Sequence, residues 1–138
     1  MKSIRTIKEA IVREYPAISR EDTLGSAIKL MAQNNSSALV VEEGEDLIGI
    51  VTITDVMYSL AHEEDLHSTM IGSFMTRCDL ISTNATRNPC VQLDEHQDAL
   101  SALKVMYEAG VHHLVVSGEA GRPAGIVSSL EIVRLLGA

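Results

Sequence analysis

Two stretches of this chain, SSALVVEEGEDLIGIVTITDVMYSL over residues 36–60 and VHHLVVSGEAGRPAGIVSSLEIVRLL over residues 111–136, read as two copies of one pattern. Each opens with Leu-Val-Val, runs through a turn-rich loop, closes on Gly-Ile-Val and continues with a hydroxyl residue and a carboxylate. Leu39-Val40-Val41 fall on Leu114-Val115-Val116 at an offset of 75, and Gly49-Ile50-Val51 on Gly125-Ile126-Val127 at an offset of 76. One extra residue therefore sits in the second loop. Apolar, β-branched runs on either side of a polar loop predict a hairpin in each copy, Ala38–Val41 with Leu47–Val51 and His113–Val116 with Ala124–Val127.

Upstream the offset of 75 persists, with Leu24, Ala27, Ile28 and Met31 matched by Ala99, Ala102, Leu103 and Met106. Both sets run i, i+3, i+4, i+7, the stripe of an amphipathic helix. Thr23 and Asp98 stand where N-caps belong, and Gly110 where a helix end wants positive φ, which predicts helices over about 24–34 and 99–109. Val56, Met57 and Leu60, matched by Ile132, Val133 and Leu136, mark an apolar face on a closing helix in each copy. Ile18 and Leu93 mark a short strand before each first helix. Each repeat is then strand, helix, strand, strand, helix. Neither half is expected to have much core of its own, so the two should pack sheet to sheet as one unit.

The bulk composition agrees with a folded domain. Of 138 residues, 46% are hydrophobic and 22% charged, too apolar for disorder and too few charges for a solvated tail. A net charge of −8 repels phosphate backbones and anionic lipid, so nucleic acid and membrane surfaces are poor partners. No apolar run approaches the ~20 residues of a spanning helix, and MKSIRTIKEA carries charges where a signal peptide has its apolar core; a cytoplasmic location is expected. Cys78 and Cys90 are too few for a zinc site or a disulfide framework.

The order of elements, the Leu-Val-Val strand and the closing GIVTITD and GIVSSLE resemble the CBS motif, and a tandem pair of these is the form called a Bateman module. The resemblance covers nearly the whole chain. It implies an α/β fold of the α+β type: a single CBS pair over 1–138, made of repeat 1 at 10–62, a connecting stretch at 63–75 and repeat 2 at 76–138, packed about a pseudo-two-fold axis. It also implies two clefts between the repeats that take AMP, ADP, ATP or another adenosyl compound, and a homodimer that buries the apolar faces of the closing helices.

The residues at the closing motif have a chemistry of their own. Thr52 ends a strand and Asp55 lies in the first turn of the next helix, so a hydroxyl, a carboxylate and backbone N–H groups converge on one helix N-terminus, an anion-friendly place. A carboxylate there can accept from both ribose hydroxyls while the threonine and the helix amides donate to a phosphate. The plainer alternative is that Thr52 caps the helix and Asp55 offsets its dipole. By the resemblance, the cleft at Ile50, Thr52 and Asp55 is completed by Cys90, Val91, Val111, His112 and His113. A second cleft pairs Ser128 and Glu131 with Ala17, Ile18, Ser37 and Ala38, but Glu131 departs from the family's Asp by one methylene, which sets its carboxylate farther out.

No constellation points to catalysis. There is no nucleophile elbow, no phosphate-cradling G-x-x-x-x-G-K and no acid and base carboxylate pair. His62 and His67 are five residues apart, which turns them ~140° from one another on a helix, so HEEDLH is expected to be part of a solvated linker and not a zinc motif. The methionines fall mostly at core spacing, where they fill gaps. The sequence thus predicts a regulatory module, not an enzyme, with adenine nucleotide as bound ligand and no catalytic cofactor, and it leaves a regulated protein partner open. The alternatives are an interaction or dimerisation module with no nucleotide, and a module for another adenosyl ligand such as S-adenosylmethionine.

Overall fold

The computed structural model describes residues 5–12, 15–44, 46–77, 92–118 and 123–138, which form two sheets, five α-helices and one short 3₁₀ helix. They fall into two compact units, one built from Tyr15–Cys90 and the other from Met1–Glu14 with Val91–Ala138.

In the unit of Tyr15–Cys90, strand β1 (Ala17–Ile18) runs parallel to β2 (Ala38–Glu43), which pairs antiparallel with β3 (Asp46–Thr52). Helix α1 (Leu24–Asn34) precedes the hairpin and α2 (Ile53–Ala61) follows it. Thr23 caps α1 by accepting from the Ser26 N–H, and Asn35 ends it in the left-handed region at φ 47°, a conformation asparagine tolerates. In the other unit, β5 (Gln92–Asp94), β6 (His113–Ser117) and β7 (Pro123–Ser128) repeat the arrangement, with α4 (Ala99–Ala109) and α5 (Ser129–Gly137). Asp98 caps α4, and Gly110 ends it at φ 69°. The predicted helices, caps and strands are therefore all present.

Each unit also contains a segment to which the sequence assigned no element. Helix α3 (Ile71–Phe74) and β4 (Thr76–Arg77) follow α2, and β4 adds antiparallel to β3 with Ile50 opposite Thr76. In the other unit the same place is taken by the opening of the chain: the 3₁₀ helix Ile7–Ala10, then Val12, which bridges Ile126 through two hydrogen bonds of 2.9 and 3.1 Å. The two segments match at a spacing of 64 residues, bond for bond. The Leu24 N–H donates to Thr69 O and that of Ala99 to Arg5 O; Ile71 N–H donates to Asp22 O and Ile7 N–H to Gln97 O; Gly72 N–H donates to Arg20 O and Lys8 N–H to Glu95 O. Backbone carbonyls of these segments thus satisfy N–H groups that a helix start leaves without an internal partner. The segment preceding each repeat in sequence is the one that closes the sheet of the other.

That crossing explains the glycine of each Gly-Ile-Val. A Cβ on Gly49 would lie 2.7 Å from Thr76 O, and one on Gly125, whose φ is +147°, would lie 2.5 Å from Val12 O and 2.7 Å from Ile11 Cγ2. The incoming strand occupies the space a side chain would need.

Contrary to the expectation of little core in either half, each unit encloses its own. Ile18, Leu24, Ala27, Met31, Leu39, Val41, Val51, Val56 and Ile71 form one cluster; Ile7, Leu93, Ala99, Ala102, Met106, Leu114, Val116, Val127 and Ile132 anchor the other. The alternate residues Ala38, Val40, Ile50, Val115 and Ile126 point to the opposite faces of the strands and are buried as well, which is why the strands read as continuous apolar runs. The apolar faces expected on the closing helices are divided between two tasks. Val56 and Ile132, at 3% and 0% exposure, belong to the cores, and Leu136 packs against one, while Met57 and Val133 stay 61% and 52% exposed. The outward stripe of α2 is Ile53, Met57 and Leu60, at i, i+4, i+7.

Replacing Gly125 by Ala is expected to lower stability in urea unfolding by about 1–3 kcal/mol, because Val12 and Ile11 must move and the backbone is unfavourable for an L residue. Gly137→Ala, where nothing lies within 4 Å, is the control and should be neutral. Equal stability of the two variants would contradict the packing described.

Candidate functional site

The junction of β3 and α2 is built by the hairpin register. Ala38 lies opposite Thr52, and the Ile53 N–H donates to Ser37 O at 2.9 Å, so the strand is held until the residue before the helix. Thr52 stays extended and caps α2: its hydroxyl accepts from the Asp55 N–H at 3.4 Å, while Asp55 Oδ2 accepts from the Thr52 N–H at 2.9 Å and from its hydroxyl at 3.2 Å. This reciprocal pair is a capping box, with aspartate in the position often held by glutamate. A further hydroxyl arrives from β4, where Thr76 Oγ1 lies 3.3 Å from Asp55 Oδ1 and 3.4 Å from Oδ2. The half-buried carboxylate therefore sits in a cradle of three donors at a helix N-terminus.

The β7–α5 junction is equivalent in backbone and different in side chains. His113 lies opposite Ser128, and the Ser129 N–H donates to His112 O at 2.9 Å. Ser128 Oγ accepts from the Glu131 N–H at 3.1 Å, but the Glu131 carboxylate does not return to the cap; it lies 3.0 Å from Arg134 Nη1, one turn along the helix. The extra methylene moves the charge away from the helix start. The residue equivalent to Thr76 is Val12, which has no hydroxyl to offer.

Of the remaining residues singled out in the sequence, Ser37, Ala38 and Val111 to His113 lie at the same two junctions. Within the unit of Tyr15–Cys90, Ser37 and Ala38 lie beside Thr52, Ile18 is buried in β1 beside β2, Ala17 is exposed next to it, and Ile50 is buried with only its backbone on the ladder. In the other unit Val111, His112 and His113 enter β6 next to Ser128. Within each unit the start of the paired strand thus lies beside the cap of the closing helix. Cys90 and Val91 lie outside the described residues.

Beside the second junction, α4 and the loop after it border a cavity of about 520 Å³ that includes Leu103, Lys104, Tyr107, Val111, His112 and Ser129. Its walls are apolar, with His112 Nδ1 3.2 Å from Ser129 Oγ at one side. The sequence did not point to α4 here, because Leu103 reads as part of the core stripe. His113 next to it is half-buried, and burial holds its pKa below the ordinary 6.5, with repulsion from His112 acting in the same direction.

No helix among the described residues is long and apolar enough to cross a membrane.

Comparison with known proteins identifies the pattern. A family model described as CBS domain matches residues 7–62 and again residues 72–138. An uncharacterized 33.4 kDa protein in the ribosomal RNA operon of Thermofilum pendens is 28% identical over 130 residues, covering 94% of this chain and 43% of that protein. An inosine-5′-monophosphate dehydrogenase of Korarchaeum cryptofilum is 27% identical over 131 residues, 95% of this chain and 24% of the enzyme. The chain thus spans less than half the length of these relatives. Among solved structures, a CBS domain pair in complex with 5′-methylthioadenosine and S-adenosyl-L-methionine has a TM-score of 0.77 at 22% identity, with 97% of each chain covered; it shares the fold.

The state of His113 gives a pH dependence. The unfolded chain takes up a proton there near pH 6.5 and the folded chain resists it until lower pH, so stability present above that pH is lost as pH falls toward the lowered folded value. His113→Gln is expected to flatten the decline of the urea midpoint between about pH 7 and 5. An unchanged slope would show that His113 is as easily protonated in the fold as in the open chain.

Proposed function

The chain belongs to the CBS domain family, and on that premise we propose that it is a regulatory module, not an enzyme, which binds an adenine nucleotide of the AMP, ADP or ATP type at the start of α2. The observation that carries the proposal is the Asp55 carboxylate. Its two oxygens have about four lone-pair directions, and the Thr52 N–H, the Thr52 hydroxyl and the Thr76 hydroxyl fix its orientation without exhausting them. A carboxylate so held can accept from the two ribose hydroxyls, while the positive end of α2 favours a phosphate.

The capping box does not compete with this role. A cap fixes a carboxylate in place before the ligand arrives, and a group that is already ordered loses less entropy when it binds. Glu131, drawn along α5 toward Arg134, has no such preparation, which supports unequal sites with the Asp55 site the tighter. A second reading, that the ligand is another adenosyl compound, is favoured by the similar CBS pair that holds 5′-methylthioadenosine and S-adenosyl-L-methionine. Ribose hydroxyls are common to all these ligands, so Asp55 has the same part in either case.

The exposed stripe of Ile53, Met57 and Leu60 supports a homodimer through α2, since apolar side chains aligned along one helix face gain from mutual burial. Multi-angle light scattering at tens of micromolar should give twice the chain mass, and Met57→Asp should reduce it to one. A monomeric parent protein would contradict the dimer.

Asp55→Ala should weaken AMP binding by about 10- to 150-fold, the loss of a hydrogen bond to a charged group. Glu131→Ala should change the tighter affinity by less than about threefold. Isothermal titration decides between the two sites, and a silent Asp55→Ala beside a damaging Glu131→Ala would reverse the assignment. With no Trp and three Tyr in the chain, co-purified nucleotide would be visible directly in the absorbance near 260 nm.

A further inference from the structure

We propose that Thr76, on strand β4, is a positioning residue that sets the orientation of the Asp55 carboxylate for the ribose hydroxyls; the proposal rests on the reading of Asp55 as their acceptor. Thr76 lies outside the closing GIVTITD motif that holds Thr52 and Asp55. It reaches Asp55 from 21 positions away in the chain and its hydroxyl lies within 3.4 Å of both carboxylate oxygens. The other two donors to Asp55 come from Thr52, three residues before it, and both reach Oδ2. Local bonds to one oxygen leave the carboxylate plane poorly defined, because the terminal torsion of an aspartate is broad. A donor shared between both oxygens, from an element anchored elsewhere, removes that freedom.

The anchor is the strand pairing. Thr76 lies opposite Ile50, two positions before the cap residue Thr52, and α3 before it is fixed by the buried Ile71. Nothing in α2 alone can supply this contact. The other unit shows the arrangement without it. Val12 occupies the equivalent ladder position opposite Ile126, has nearly the shape of threonine and no hydroxyl, and the carboxylate of that unit lies against Arg134. The chain therefore already contains both versions of the contact, and a valine at this position is compatible with the fold.

The same comparison defines the test. Thr76→Val should bind AMP about 3- to 10-fold more weakly than the parent, because the carboxylate must then be ordered on binding, and Thr76→Ser should restore most of the affinity. The decisive readout uses the 2′,3′-dideoxy analogue of AMP, which lacks the hydroxyls Asp55 would receive. The parent should bind this analogue more weakly than AMP, and Thr76→Val should leave its affinity unchanged, because a positioning effect has nothing left to act on. Thermal melts of the variants check that both remain folded. If Thr76→Val binds AMP as the parent does, or loses AMP and the dideoxy analogue equally, Thr76 does not position the carboxylate. If the parent binds none of AMP, ATP, 5′-methylthioadenosine and S-adenosyl-L-methionine, the ribose-acceptor reading of Asp55 falls, and this proposal with it.

Discussion

The antiparallel pairing of a leader segment with the last strand of the other repeat is the constraint on which the rest of this structure depends. Two backbone hydrogen bonds join Val12 to Ile126, β4 pairs with β3 at Ile50 and Thr76, and in each case the strand passes over a glycine that cannot be replaced without displacing it. The same segments satisfy the first amide of α1 and of α4 and place Ile71 and Ile7 in the two cores. Each unit is thereby completed by chain that lies outside its contiguous repeat. The covalent order and the packing order are interleaved, and neither repeat would retain its closing strand if cut out by its sequence boundaries.

The interleaving also accounts for the difference between the two junctions. Backbone geometry at Thr52 and at Ser128 is nearly the same, down to the amide of the next residue bonding a carbonyl at the start of the paired strand. What differs is one methylene and one hydroxyl. Aspartate is short enough to close a capping box and to meet Thr76; glutamate overshoots the cap and meets Arg134, and Val12 has nothing to donate. Two small side-chain changes on a duplicated frame thus separate a held acceptor from one lying along an exposed helix face, where an ion pair contributes little.

Much of this was legible in the sequence because the signals were local. The stripe of Leu24, Ala27, Ile28 and Met31, capped by Thr23, has a helix period and boundary written into adjacent residues, and its copy at Ala99 to Met106 repeats both. The hairpins could be placed for the same reason. The leaders could not. IKEAIV and IGSFMT are too short to show a period, and their partners are set by strands distant in the chain, so no local pattern announces that they belong to a sheet. The role of Gly49 and Gly125 was hidden with them, because a glycine required by a neighbour's backbone looks no different from one required by a turn. At the site, Thr52 and Asp55 were found through their place in the repeated motif, whereas Thr76 could be found only once β4 was seen to cross beside them. The closing helices show the opposite limit: their apolar residues were evident, but which of them face the core and which face outward follows from the helix orientation and not from composition.

In the proposed function the prepared carboxylate at the start of α2 receives an adenosine ribose. The measurement that addresses it most directly is a titration of isotopically labelled protein with AMP, followed residue by residue in amide and methyl NMR spectra. The account predicts that the first equivalent shifts the amides of Thr52 to Asp55 and the methyl of Thr76 in a saturable manner, with the Ser128 to Glu131 amides responding only at higher concentration. Saturable shifts that begin at Ser128 to Glu131 and leave Asp55 and Thr76 unmoved would contradict it.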